Sequence, residues 1–165
     1  GVYGRNEIPT LREFLEFMKP TRLITNIELK TGIFTYPGIE EKVLGLIDEF
    51  GLRDRTIISS FNHYSVLRMK ALAPDMVYGF LEESWIIDFP EYAKKNGADA
   101  VHPILTVLDA DYVKACRERG LKINTWTVNE REHIEYIAGL GVDGIIGNNP
   151  DICAEVLKVL EKYRV

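Results

Sequence analysis

The sequence predicts an α/β fold in which a parallel sheet, covered by helices, is rolled into a β/α barrel. Three observations lead there. Six short β-branched, apolar runs alternate with amphipathic stretches along the whole chain, and Gly, Pro, Asn or Asp separates each pair. Strict strand-then-helix alternation makes the strands parallel, because parallel neighbours need crossover connections, which return with one hand. Polar residues then stand at the C-terminal ends of several strands, as they do in a barrel: Glu28 and Lys30, residues 59–62, His102 and Pro103, Trp126 with Asn129, and Asn148 with Asn149. The competing open, doubly wound sheet would carry a Gly-rich phosphate turn after its first strand, and no G-x-G-x-x-G or G-K-[ST] occurs.

In chain order, a helix is expected over residues 9–18, with Thr10 as its cap. The first strand spans 23–30. A helix over 37–50 follows, because Ile39, Val43, Leu46, Ile47 and Phe50 recur at three-and-four spacing on one face. Pro37 is placed in its first turn, and Gly51 stops it. Strands over 56–61, 76–81 and 98–103 come next, each followed by a helical segment. Residues 81–89, LEESWIIDF, read as a strand-to-helix loop with exposed aromatics, lying along one side of a cleft or packing on the next helix. Asp109 caps a helix over 109–119 that closes at Gly120, and the fifth strand is 122–128. Asn129 precedes the next helix in the same way, and after a sixth strand, 144–148, Asn148 or Asn149 caps the last one.

Composition removes several function classes. With 46% apolar and 27% charged residues and a net charge of −5, the chain is globular and mildly acidic. Lys and Arg are interspersed with Asp and Glu, so there is no basic face for nucleic acid. No apolar run approaches the roughly 18 residues of a membrane span, and the N-terminus shows no secretory pattern. Cys116 and Cys153 are isolated, which suits two buried thiols better than zinc or a disulfide framework and leans toward the cytoplasm. The length is discordant with a whole barrel. Eight βα units take about 250 residues, whereas six occupy all 165 here. A six-stranded arc leaves two unpaired edges and an uncovered interior.

Read together, IPTLREFLEF (8–17), NIELK (26–30), TIISSFNHYSVLRMKALAPD (56–75), GADAVHP (97–103), INTWTVNE (123–130) and GVDGIIGNNPD (141–151) resemble the glycerophosphodiester phosphodiesterase family in order and spacing. No single motif is diagnostic; together they cover nearly all of the chain. The resemblance implies a (β/α)8 TIM barrel of which residues 1–165 are roughly the C-terminal two-thirds, with the first two strands and a small insertion missing. It implies hydrolysis of a glycerophosphodiester to glycerol 3-phosphate and an alcohol, with bound Mg²⁺ or Ca²⁺. A hard cation held by carboxylates neutralises the phosphate, and acid and base groups serve the attacking and leaving oxygens.

The family's two catalytic histidines and its carboxylate pair belong to the missing motifs, so the resemblance places no catalytic residue in this chain. It implies that Glu28, in NIELK, is the third metal glutamate and Lys30 the lysine near the phosphate; the bland alternative for both is an ion pair, since they share the inward parity. Trp126 is placed in the pocket wall against the glycerol carbons, or in core packing. Phe61 is a pocket aromatic or plain core. Tyr78 and Trp85 are weaker pocket aromatics. His102 is a polar contact at the barrel mouth or a hydrogen-bonded structural histidine, and neither His63 at a helix start nor His133 in a charged helix segment is taken as a substitute for the missing catalytic histidines. The family often has Thr and Asp before the last proline, where this chain has Asn148 and Asn149.

Two functions follow. In the first, the complete gene product is a metal-dependent phosphodiesterase acting on a small-molecule glycerophosphodiester, and this chain alone has little turnover because one carboxylate holds a cation poorly. In the second, the chain is a non-catalytic shortened barrel that pairs its open edges with a partner or a second copy.

Overall fold

The computed structural model describes residues 7–163. Helix α1 (Leu11–Met18) precedes strand β1 (Thr25–Glu28), and five strand and helix pairs follow α2 (Ile39–Phe50). They are β2 (Thr56–Ser60) with α3 (His63–Leu72), β3 (Val77–Glu82) with α4 (Phe89–Lys95), β4 (Ala100–Pro103) with α5 (Ala110–Glu118), β5 (Lys122–Thr125) with α6 (Arg131–Leu140), and β6 (Gly144–Ile145) with α7 (Pro150–Tyr163). Single 3₁₀ turns, Arg53–Arg55 and Leu105–Val107, sit before β2 and after β4. All six strands are parallel and stand in chain order, β1-β2-β3-β4-β5-β6, so the sheet is a half-barrel arc with each helix crossing back over its outer face.

The local signals that set these elements are largely those of the sequence. Thr10 closes a capping box with Glu13, Asp109 accepts from the Tyr112 amide at 2.7 Å, and Gly51 ends α2 in the left-handed conformation at φ 66°. Three expectations need correction. Pro37 lies outside α2, whose cap is Gly38 at φ 80°, because the chain turns through left-handed Tyr36 before the helix starts. Asn129 does not cap α6; Glu130 holds that position, and the Asn129 side chain instead accepts the Asn148 amide at 2.8 Å, tying the loops after β5 and β6 together. Five of the six strands, all but β3, are also shorter than the expected runs: β1 omits Leu23 and Ile24, both exposed, and β5 stops at Thr125, beside a β6 of only two residues.

Alternation along each strand divides the sheet into two faces. Ile58, Tyr78, Phe80, Val101 and Ile123 point outward into the helices and form the centre of the apolar core with Leu15, Ile47, Met69, Ile134 and Ile137. Tyr78 shows the direction plainly, since its hydroxyl donates to the Ala73 carbonyl at 2.6 Å and the Met69 carbonyl at 3.1 Å at the end of α3. Tyr78, a weak candidate for a pocket-lining aromatic, therefore serves the helix layer. The other face carries Glu28, Ser59 and Gly79 in register and, further along, His102 and Asn124.

Because the Tyr78 hydroxyl is fully buried and satisfies two carbonyls at a helix end, Tyr78→Phe is expected to lower the unfolding free energy by about 1–2 kcal/mol. Urea unfolding of the two proteins measures the difference; equal midpoints would show that the contact contributes nothing.

Candidate active site

The concave face at the C-terminal ends of the strands is built one strand at a time. Leu29 turns its side chain into the core, which leaves Glu28 and Lys30 on the same concave side, and the Lys30 ammonium donates to Glu28 Oε1 at 2.8 Å. The pair is not symmetric: the carboxylate side chain is 29% exposed and the lysine 79%, so the lysine can leave the pair at little cost while the carboxylate stays in place. At the end of β2 the polar side chains secure the backbone. Ser60 donates to the Leu29 carbonyl at 2.5 Å and accepts the Asn62 amide at 3.0 Å, while the Asn62 amide group donates to the Thr31 carbonyl at 3.1 Å. These bonds lock the turn after β2 to the loop after β1 and leave Phe61 projecting, 40% exposed.

Phe61 meets Trp126. Their rings are edge to face, 5.5 Å between centroids at 87°, and the indole N–H donates to the His102 carbonyl at 2.8 Å. The peptide bond between Trp126 and Thr127 is cis. Glu28, Lys30 and Phe61 line one cleft of about 340 Å³, together with Ile33, Phe34 and Tyr36 of the loop after β1.

His102 lies under this surface. It is fully buried and absent from the lining of the cleft, so the mouth contact considered for it is not made; its ring rests over Gly79, where a Cβ would stand 2.8 Å from His102 Cδ2. The Asn124 amide donates to Nε2 at 3.0 Å, which puts the ring proton on Nδ1, and Nδ1 has no partner among the described residues. Burial pushes the His102 pKa down to about 4, so the ring is neutral. His63 is engaged as well: it stacks on Phe80 at 4.2 Å and bonds the Leu81 carbonyl and the Tyr92 hydroxyl, with burial lowering its pKa. His133 belongs to α6, away from the strand ends. Trp85 is 68% exposed in the loop before α4.

One titratable residue was missed. Glu82 continues β3 one residue beyond the expected end, and its parity with Tyr78 and Phe80 carries it outward, where it is buried and accepts from the Tyr112 hydroxyl of α5. Its second carboxylate oxygen has no partner among the described residues, and burial pushes its pKa up to about 7, against the opposing Tyr112 hydrogen bond. The period of two from Tyr78 was the available signal. Glu82 also raises the Cys116 thiol, which burial has already pushed up, to about 12, consistent with an inert buried cysteine; Cys153 is half-buried and free.

Among the described residues, no three His, Cys, Asp or Glu side chains converge on a point that could hold a metal ion. Glu28 is a hard oxygen donor at the right place, but it is a single carboxylate already shared with an ammonium. By themselves these residues do not fit a divalent cation. No helix among them is long and apolar enough to cross a membrane.

Comparison with known proteins places this geometry. The model of the Glycerophosphoryl diester phosphodiesterase family matches residues 2–152. A glycerophosphodiester phosphodiesterase of Caldanaerobacter subterraneus is 36% identical over 156 residues, covering 94% of this chain and 64% of that protein. One from Bacillus altitudinis is 35% identical, covering 93% and 64%. The crystal structure of a glycerophosphodiester phosphodiesterase from Parabacteroides distasonis superposes with a TM-score of 0.80 at 25% identity, over 95% of this chain and 66% of that one. The chain thus spans about 64% of the length of the curated relatives it matches.

Two measurements test the buried groups. Gly79→Ala forces a methyl group into the His102 ring and is expected to cost about 1–3 kcal/mol of unfolding free energy, read from denaturant midpoints. The pH dependence is set by two shifts of opposite sense. Glu82, raised from 4.5 to about 7, keeps in the folded state a proton that the unfolded chain gives up, so its contribution is lost as pH rises through that interval. His102, lowered from 6.5 to about 4, refuses a proton that the unfolded chain takes, so its contribution is lost as pH falls through 6.5 toward 4. The two nearly cancel, and a shallow pH profile is expected for the wild type. In Glu82→Gln only the histidine contribution remains, and stability should climb between pH 4 and 6.5 by up to about 3 kcal/mol. A Glu82→Gln profile as shallow as the wild type's would rule this balance out.

Proposed function

Since the chain belongs to the glycerophosphoryl diester phosphodiesterase family, we propose that the protein carrying it hydrolyses glycerophosphodiesters to glycerol 3-phosphate and an alcohol, with these residues forming one wall of the site. The observation that carries this reading is the Glu28 and Lys30 pair on the concave face beside the corner made by Phe61 and Trp126. Lys30 is the mobile member and offers its ammonium to the phosphate oxygens; a positive charge held there favours the charge that builds up as the phosphorus is attacked. The two aromatic rings give the glycerol carbons an apolar wall whose orientation is set by the indole bond to the His102 carbonyl.

When Lys30 turns to the phosphate, Glu28 is left as one carboxylate ligand for a hard divalent cation, Mg²⁺ or Ca²⁺, which would supply charge neutralisation once further ligands are in place. Proton transfer is assigned to groups outside the described residues: His102 is buried and neutral, and both nitrogens of His63 are occupied. A second reading, an assembly module, draws on β1 and β6, each of which has one side without a strand partner among the described residues.

The test uses the full-length protein with the choline diester and a neutral ethyl diester of glycerol 3-phosphate and added Mg²⁺ or Ca²⁺, following glycerol 3-phosphate release from either. Lys30→Ala is expected to lower kcat/KM about a hundredfold, by loss of one charge from the phosphate, and Trp126→Ala to raise KM more than it lowers kcat. Absence of cation-dependent release would remove the enzyme reading; an active enzyme indifferent to Lys30→Ala would remove the role of the lysine. For the assembly reading, sedimentation of the same protein should show a dimer or larger species.

A further inference from the structure

The loop after β1 is built to present apolar side chains. Thr31 is anchored, bonding the Ser65 hydroxyl at 2.5 Å, but Ile33, Phe34 and Tyr36 stand 89%, 65% and 54% exposed. The loop is held in this form. Tyr36 sits in the left-handed region at φ 45°, which costs a non-glycine residue about 1 kcal/mol or more, and its carbonyl accepts the Ile39 amide at 3.0 Å to start α2. Phe34 and Tyr36 pack edge to face, 6.1 Å between centroids.

These rings line the cleft whose inner end is the Glu28 and Lys30 pair. Tyr36 then carries the surface on into a second hollow of about 400 Å³ with Pro37, Ile39 and Lys42. The result is a track with charge at its inner end and hydrocarbon beyond it. Its chemistry discriminates among alcohols. With Lys30 on the phosphate, the one carboxylate in the cleft, Glu28, is left to the cation of the phosphodiester reading, and the outer hollow adds a second lysine, so a cationic alcohol finds repulsion rather than a partner. A polyol would leave most of its hydroxyls facing Ile33, Phe34, Pro37 and Ile39.

We infer that this track is the subsite for the leaving alcohol and that it accepts an alcohol bearing an alkyl or acyl chain, a deepening that rests on the phosphodiester reading above. With phosphate at Lys30 and glycerol at Phe61 and Trp126, the part of the same cleft left for the second ester group is the one lined by Ile33, Phe34 and Tyr36. In the reaction, the oxygen of water bonds phosphorus and the bond from phosphorus to the alcohol oxygen breaks. One proton of the water ends on that oxygen, the other on phosphate or solvent, and the products are glycerol 3-phosphate and the chain-bearing alcohol.

Two synthetic diesters of glycerol 3-phosphate test this in the full-length protein, one with ethanol and one with dodecanol, both below the concentration at which the latter aggregates. Several methylenes leaving water make kcat/KM for the dodecyl diester at least about tenfold the higher. In the double variant Ile33→Ser, Phe34→Ser, that ratio falls at least about fivefold, since it removes the walls of the track. Equal kcat/KM for the two diesters, or a ratio untouched by the double variant, overturns the inference. If another part of the full-length protein covers the loop, the dodecyl diester gains nothing and the double variant instead lowers the unfolding midpoint, which also overturns it. Should neither diester be hydrolysed, the phosphodiester reading fails separately. Calorimetry with dodecyl phosphate then decides the groove, weaker binding in the double variant supporting it and absent or equal binding overturning it.

Discussion

The mouth of this half-barrel depends on a steric interlock running across four strands of its concave face. Gly79 on β3 has no side chain, and the His102 imidazole from β4 lies in the space this leaves. The Asn124 side chain on β5 hydrogen-bonds that imidazole and itself leans over the bare backbone of Gly144 on β6, where a Cβ would stand 3.2 Å from the Asn124 Cγ. Two large polar side chains are thus flanked by two glycines. Close packing allows this only in one register, because a slip of one residue would present every strand's other face. The His102 carbonyl, fixed by this arrangement, receives the Trp126 indole, and Trp126 in turn sets the angle at which Phe61 is met. The aromatic corner of the cleft is therefore two contacts removed from a missing side chain.

Burial of polar groups follows the same division into faces. On the concave side, His102 and Ser59 each hold an atom without a partner among the described residues, while on the convex side Glu82 has one carboxylate oxygen in that state. Each such atom costs free energy that the packing around it must offset. At the opposite end of the sheet, polar groups are paired openly. Lys70 meets Asp99, Lys122 meets Asp143, and Arg53 bridges Asp48 and Asp75. These exposed pairs add little individually, but Asp99 and Asp143 do more than pair. Each accepts a backbone amide at the start of a neighbouring strand, from Tyr78 and Ile123 respectively, both at 3.0 Å. The repeated sequence Gly-x-Asp before β4 and β6 is one device used twice, with glycines at φ 78° and 79° turning the chain off the preceding helix.

How much of this was legible follows from which signals are local. Thr10, Asp109 and Gly51 act within four residues of themselves, so their caps could be read directly. The order of strands and the shared face of Glu28 and Lys30 follow from alternation, which needs no knowledge of partners. The fate of His102 was not legible, because it is decided by a glycine 23 residues earlier that faces it only when β3 and β4 are in register. Glu82 escaped because a charged residue after an apolar run reads as the start of a loop, although the parity set by Tyr78 and Phe80 continues through it. Asn129 shows the reverse error. A good capping residue in a capping position was drawn instead to a backbone amide 19 residues away.

The division of labour within the site has a physical logic. Positioning groups need rigid backing, and the residues proposed to hold substrate stand one or two positions beyond the ends of strands whose outer faces carry the buried core. The pair that meets charge is different in kind: Glu28 is half-buried and fixed, whereas Lys30 is largely exposed and carries its charge on a flexible stem. A lysine stored on a carboxylate is pre-positioned yet weakly held, since an exposed ion pair yields about 1 kcal/mol or less. On the proposed reading, an arriving phosphodiester would compete for the lysine on favourable terms, and the carboxylate it frees would be one ligand, insufficient alone, for a cation. A single ion pair at the end of one strand would in this way couple anion and cation binding, each removing the partner that otherwise holds the other's ligand.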